Sequence, residues 1–276
     1  MRTNQQKEMK YALNNGARIE ASKGTRGTCP CCGSELIARC GDIKIHHWAH
    51  KSSCDPWWET ETEWHRLWKN RYPPKWQEFL TLDEETGERH IADVKTEADL
   101  IIEFQHSAID PQERLQRERH YKNLIWVVDG TRLKRDFKRF SNQYNELIKT
   151  NKPGIFLIDH DEGIFNKSWL TSSVPVIFDF KGINPTDGDH DIRNSLYCLL
   201  QIKLGRYSII AEFSREAFIK STINGTWSIH IQNFINAISP KKAPDSHQNQ
   251  TNPTKPKDGS HFFDPKSGKW KRRTRW

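Results

Sequence analysis

Asp93 and Glu103 are the residues with the most chemistry to offer. They lie in Ile91-Ala92-Asp93-Val94 and in Leu100-Ile101-Ile102-Glu103-Phe104-Gln105-His106-Ser107, two apolar segments that read as neighbouring strands. Strand side chains alternate, so Glu103 and Gln105 share one face. Two carboxylates on adjacent strands are hard oxygen donors on rigid supports, which suits a divalent cation such as Mg2+ or Mn2+. Bound there, such an ion can activate water and neutralise phosphate oxygens, the requirement for phosphodiester hydrolysis. Upstream, Glu61, His65 and Lys69 recur at four-residue steps and share a face if residues 57–72 are helical.

A second group is thiol-rich. Five of the six cysteines fall between Cys29 and Cys54, a crowding that fits metal ligation in a reducing compartment better than a disulfide scaffold. In Cys29-Pro30-Cys31-Cys32-Gly33 the two-residue spacing of Cys29 and Cys32 makes a thiolate knuckle, with glycine permitting the turn. His47 and His50 can complete a closed tetrahedral set. Zn2+ held that way has no open position and is structural, folding a lobe too poor in apolar residues to fold alone. Cys31, Cys40, Cys54 and His46 remain alternative ligands.

The elements that must position these groups can be read in order. Residues 57–72 predict a helix, stopped by Pro73-Pro74. Strands follow at 75–82, 90–94 and 99–105; Asp110-Pro111 opens a helix that carries Arg117 and Tyr121 on one face; 124–128 is a buried strand. Helix, three strands, helix, strand is an α/β core with a mixed sheet. Beyond it, 134–149 reads as a charged helix, 154–159, 174–180 and 207–213 as strands, and 192–202 and 215–220 as helices. The organisation expected is therefore an N-terminal zinc-binding lobe (1–56), a core (57–135), a C-terminal α+β module (136–238) and a disordered basic tail (239–276).

The net charge is +8, but residues 239–276 hold seven Lys and three Arg against three Asp, so most of the excess belongs to the tail. Its end, Lys269-Trp270-Lys271-Arg272-Arg273-Thr274-Arg275-Trp276, interleaves basic and indole side chains, a composition suited to nucleic acid. Arg114, Arg117, Arg119, Lys122, Arg132, Lys134, Arg135, Lys138 and Arg139 crowd locally in the core, where a phosphate backbone can pass or where a helix simply presents a solvated face. No run of about 18 apolar residues predicts a membrane span, and the polar start lacks an apolar signal segment, so a cytoplasmic location is expected.

Ala92-Asp93, Ile102-Glu103-Phe104-Gln105-His106-Ser107, and Arg117 to Tyr121 followed by Leu124-Ile125-Trp126-Val127-Val128, resemble the nuclease core of the CoiA-like competence family, within the PD-(D/E)XK nucleases. The resemblance runs from about Cys29 to about Asp129. It implies a restriction-endonuclease-like mixed sheet flanked by helices and a metal-dependent deoxyribonuclease. Asp93 and Glu103 would hold Mg2+ or Mn2+, and Glu61 would reach it directly or through water. It also implies Cys29, Cys32, His47 and His50 as the zinc set. The family's usual lysine two residues beyond the glutamate is Gln105 here, as is common in CoiA-like sequences; glutamine orients water but brings no charge. Lys69 or Lys95 can supply the charge, Arg117 and Tyr121 can contact phosphate or brace the site, and His106 can donate to phosphate or support from behind. The implied substrate is DNA, single-stranded or branched, in uptake, recombination or defence against foreign DNA. The alternative is a catalytically weak or inactive DNA-binding recombination mediator that keeps the nuclease fold.

Overall fold

The computed structural model describes residues 7–50, 54, 55, 57, 59–83, 86–159, 163–238, 261–264 and 269–272. Asn15 and Gly16 both take positive φ, 48° and 80°, which makes the two-residue turn whose twist matches paired strands. That turn joins β2 (Tyr11–Asn14) to β3 (Ala17–Glu20). With β1 (Lys7–Met9), β4 (Arg26–Thr28), β5 (Glu35–Arg39) and β6 (His47–His50) they form a six-stranded antiparallel sheet, ordered β1-β6-β5-β4-β2-β3. Met9, Ala12, Leu36 and Trp48 pack beneath it, together with Ile91 from the larger sheet. At Gly27 a Cβ would come within 2.6 Å of the Ala12 Cβ, so only glycine fits between these strands.

The larger sheet has nine strands. After α1 (Glu63–Lys69) come β7 (Gln77–Leu82), β8 (Arg89–Lys95), β9 (Ile101–Gln105), α2 (Pro111–His120), β10 (Leu124–Asp129), α3 (Lys134–Gln143), β11 (Ile148–Lys149) and β12 (Ile155–Ile158). Then follow α4 (Lys167–Leu170), β13 (Val176–Asp179), β14 (Ser195–Leu204), β15 (Tyr207–Ser214), α5 (Arg215–Ile223) and α6 (Trp227–Ile238). Strand order is β11-β12-β15-β14-β13-β10-β9-β8-β7, with β9, β10 and β13 parallel and the other pairs antiparallel. Asp110 caps α2 by accepting from the Gln112 and Glu113 amides, with Pro111 at the first helical position, as the sequence predicts.

Both faces of this sheet are covered. Trp126, Val128, Val176, Phe178, Tyr197 and Leu199 pack on one side with Phe140 of α3 and Trp169 of α4. Ile125, Val127, Ile177, Leu196, Cys198 and Leu200 pack on the other with Trp64 and Trp68 of α1, Phe218 of α5 and Trp227 of α6. A mixed sheet between two helical layers is the expected α/β class.

Four expectations change. The helix predicted over 57–72 is only seven residues, Glu63–Lys69, because Thr62 caps it reciprocally with His65; Glu61 thus precedes the helix. Residues 192–202, expected helical, are mostly β14: its unbroken apolar run feeds side chains alternately to both cores, which a central strand permits. No break separates 57–135 from 136–238, since β13 pairs directly with β10 and residues up to Ile238 form one compact unit. The tail, expected to be disordered, contains a hairpin of β16 (His261–Asp264) and β17 (Lys269–Arg272), paired from His261↔Arg272 to Asp264↔Lys269. Strand-favouring Phe262, Phe263 and Trp270 raise pairing propensity above that of the surrounding polar chain. Among the described residues no helix is long and apolar enough to cross a membrane.

Phe140 is fully buried, its ring centroid 4.5 Å from that of Phe180 and 4.4 Å from that of Tyr197. Phe140→Ala is expected to lower unfolding stability by ~3–5 kcal/mol. Chemical denaturation measures this, and a loss below ~1 kcal/mol would contradict the packing described.

Candidate active site and metal centre

β8 and β9 pair at Val94↔Ile102 and Lys95↔Ile101, and the regular ladder stops there. One step further, side chains take over. The Asp93 amide donates to Glu103 Oε1 at 3.2 Å, and the Phe104 amide donates to Asp93 Oδ2 at 2.9 Å. The two carboxylates therefore occupy a split in the sheet. A small cavity of ≈ 30 Å³ opens there, lined by Glu59, Glu61, Lys69, Asp93, Glu103 and Arg117 among others. That volume admits a water-sized occupant.

Opposite Asp93, β7 is distorted. Gln77 pairs with Val94 and Phe79 with Ala92, while Glu78 between them takes a left-handed φ of 44°. For a side-chain-bearing residue this costs about 1–2 kcal/mol, and it turns Glu78 inward. Its carboxylate accepts the Lys10 amide at 2.8 Å, the Tyr11 amide at 2.9 Å and Lys69 Nζ at 2.9 Å.

Lys69 is the hub. Its ammonium, 3% exposed, lies 2.6 Å from Glu61 Oε1, 2.9 Å from Glu78 Oε1 and 3.9 Å from Asp93 Oδ1. Arg66 grips Glu61 through both oxygens, Nε at 3.0 Å and Nη2 at 2.6 Å. Arg117 donates to Glu103 Oε2 at 3.0 Å, to Glu113 Oε1 at 2.6 Å and to the Trp57 carbonyl. Glu61, Glu78, Asp93 and Glu103 thus share three fixed cations, one of which also serves Glu113. Burial alone would raise Glu61, but Lys69 and Arg66 outweigh it and hold the carboxyl at about 2. The surplus negative charge falls on the facing pair. Burial raises Asp93 against the pull of Lys69, and burial followed by the Asp93 charge pushes Glu103 up to about 8 against Arg117. Oxygen-only donors with excess negative charge beside a water-sized space fit a hard divalent cation.

Asp93, Glu103, Glu61, Lys69 and Arg117 are brought together; four other predicted residues are not in the cavity. Gln105 and His106 line an adjoining cleft of ≈ 290 Å³, with Glu59 and Arg117 shared between the two spaces and Arg132 at its edge. Gln105 Nε2 donates to the Ser107 carbonyl at 3.2 Å. His106 Nδ1 lies 2.8 Å from Asp129 Oδ2. Lys95 instead pairs with Asp99 at 3.0 Å and sits 4.9 Å from the centre of the Phe79 ring. Tyr121 is buried edge-on to Trp57, with ring centroids 5.9 Å apart. Of the basic cluster, Arg114 is buried against Glu118 at 2.5 Å, whereas Arg119, Lys122, Arg132, Lys134, Arg135 and Lys138 are exposed.

Glu59 carries more than its place in the sequence suggests. It accepts the His106 amide at 3.1 Å and the Ser107 amide, and lies 3.2 Å from His65 Nε2. Burial raises its carboxyl, but His65 and these amides outweigh it and hold it at about 2. Asp129, which also accepts from the Thr131 amide at 2.9 Å, is a second residue that no spacing rule singles out.

The thiol cluster departs from expectation at one ligand. Among the described residues, the group of three or more potential ligands whose atoms all lie within 4.8 Å of one another is Cys29, Cys32, His50 and Cys54; the acidic trio does not converge as tightly. His47 is replaced by Cys54 because His47 and His50 are three residues apart on β6, and odd separations on a strand point to opposite faces. His47 donates from Nδ1 to the Ile45 carbonyl at 2.8 Å and lies 3.6 Å from Glu8. Cys29 and Cys54 sulfurs are 3.7 Å apart, close to the ~3.8 Å edge of a tetrahedron with Zn–S near 2.3 Å. Cys32 Sγ is 3.1 Å from His50 Nε2. Gly33, at φ 74°, turns the knuckle and donates its amide to the Cys29 carbonyl at 2.8 Å. A Cys3His set of this shape can hold Zn2+ with no position left open.

Comparison with known proteins yields two matches. Residues 13–56 match the family model described as competence protein CoiA, N-terminal domain, and residues 90–166 match that described as competence protein CoiA, nuclease-like domain. No curated protein and no solved structure matches. The first match contains the Cys3His cluster; the second contains Asp93, Glu103, Gln105, His106 and Arg117, while Glu61 and Lys69 lie between the two. With both domain types present in that order, these matches support a CoiA-like competence protein.

Proposed function

We propose that this chain is a divalent-cation-dependent deoxyribonuclease of the PD-(D/E)XK type acting during DNA uptake, recombination or defence. The observation that carries this is the split between β8 and β9, which leaves Asp93 and Glu103 facing one cavity with more negative charge than their cationic neighbours balance. A nuclease-like family match over the same strands supports it. Mg2+ or Mn2+ held by Asp93 and Glu103, with Glu61 direct or through water, would supply Lewis acidity toward the phosphate and a polarised water.

The remaining roles belong to side chains. Lys69 keeps Glu61 ionised and brings a positive charge to the cavity wall that Gln105 does not. Gln105 and His106 face the adjoining cleft, where an amide can orient water and an imidazole fixed by Asp129 can donate to phosphate. Exposed Arg132 at the cleft edge, with the exposed Lys134, Arg135 and Lys138 that follow it in the chain, would offer a phosphate track for single-stranded or branched DNA. Zn2+ at Cys29, Cys32, His50 and Cys54 would staple the N-terminal lobe. A second possibility, a DNA-binding mediator without strong catalysis, is favoured by two observations: Lys69 and Arg117 already engage the acidic groups, and Gln105 stands where a lysine is usual.

Purified protein is expected to cleave labelled DNA with Mg2+ or Mn2+, to stop with EDTA, and to lose ~10²–10³-fold in rate on Asp93→Ala. Equal behaviour of wild type and variant leaves the mediator function. Because Glu103 is pushed up to about 8, a proton competes with the cation below that pH. Mn2+ affinity should therefore rise about tenfold per pH unit on approaching it from below, one proton leaving per ion; a flat titration would contradict the cation site. Elemental analysis should find one zinc per chain, lost in Cys54→Ser and kept in His47→Gln. The opposite pattern would restore His47 as a ligand.

A further inference from the structure

The segment that follows Cys54 touches the first carboxylate strand directly and reaches the second through Arg117. Asp55, 2% exposed, accepts the Ile91 amide of β8 at 2.9 Å on Oδ2. Its Oδ1 lies 3.0 Å from His90 Nδ1 and accepts the Trp57 amide at 3.0 Å. Trp57 then stacks on the His90 ring, centroids 3.4 Å apart and planes 10° apart. Its carbonyl accepts from Arg117, the residue that holds Glu103 at 3.0 Å. Trp57 and Ile91 both wall the carboxylate cavity, and Asp93 is two residues beyond Ile91 on the same strand. One ligand position of the Cys3His cluster is thus followed directly by a carboxylate that grips β8 and, two residues further, by a carbonyl that sets Arg117.

We infer that Asp55 is a positioning residue through which the Cys3His cluster holds the Asp93–Glu103 cavity in shape, so that metal loading of the cluster controls cation binding 40 or so residues downstream in the chain. The physical reason is mechanical. Where β8 and β9 lack ladder hydrogen bonds at Asp93, the spacing of the two carboxylates depends on what grips each strand from outside. Asp55 grips β8 and Arg117 grips Glu103, and the stretch after Cys54 supplies Asp55 to the first grip and the Trp57 carbonyl to the second. With Cys54 released, that stretch loses its anchor in the lobe. Cation binding at Asp93 and Glu103 is taken here from the proposed nuclease function.

Asp55→Asn tests this, since it preserves shape but cannot accept at both oxygens. The full-length protein is loaded with zinc, its zinc content is measured, and Mn2+ binding is followed by electron paramagnetic resonance alongside amide exchange at Asp93 and Phe104. Asp55→Asn is expected to keep its zinc, to bind Mn2+ about tenfold more weakly, and to exchange both amides faster. Cys32→Ser, which removes a ligand outside the 54–57 stretch, should lose zinc and produce the same two changes. The double variant should be no worse than either alone, as expected for two steps in series. Unchanged exchange at Asp93 and Phe104 in both variants, with unchanged Mn2+ affinity, would overturn the inference. If wild type binds no Mn2+, the cation function fails instead, and faster or unchanged amide exchange still decides whether Asp55 positions the strands.

Discussion

A lysine ammonium sealed from water is the interaction on which the rest of this structure depends. Lys69 sits among Glu61, Glu78 and Asp93, each from a different part of the chain: the approach to α1, the distorted start of β7, and β8 where its ladder to β9 breaks. Removing an ion from water costs several kcal/mol, offset only when its partners are close and are themselves held. Here they are held. Arg66 fixes Glu61, the Lys10 and Tyr11 amides fix Glu78, and the Phe104 amide fixes Asp93. Helix α1, the N-terminal lobe and the edge of the large sheet are thereby tied to one point.

The same arrangement explains why the facing acids differ in character. Glu61, gripped by two cations, stays ionised, while burial raises Asp93 against Lys69, and burial followed by the Asp93 charge raises Glu103 against Arg117. An acidic pair that is under-neutralised inside a protein is a place where an added positive charge gains the most. The split in the β8–β9 ladder is what creates the pair, since a continued ladder would close the cavity.

Much of this was legible from residue types. Asp110-Pro111 announces α2, Asn15-Gly16 the first turn, and the apolar run at Leu124 the buried strand β10. Asp93 and Glu103 were legible because strand alternation puts facing residues of neighbouring strands on one side. The opposite facing of His47 and His50 follows only once β6 is known to run through both, and the His-Trp-Ala-His string alone does not show it. Other features leave no local mark. Leu196 to Leu200 fits a buried strand or a buried helix until the partner strands are known. Glu59, Asp55 and Glu78 are single acids whose importance comes from amides contributed by distant segments. Lys95 shares a strand with Asp93, yet a nearby Asp99 and the Phe79 ring claim its ammonium.

We propose the Asp93–Glu103 split as a cation site. Crystals grown with Mn2+ and measured at an anomalous wavelength test it most directly. One anomalous peak is expected in the cavity within bonding distance of an oxygen from each of Asp93 and Glu103, absent from crystals of Asp93→Ala. Well-ordered crystals with Mn2+ bound elsewhere and no peak between these two carboxylates would contradict it.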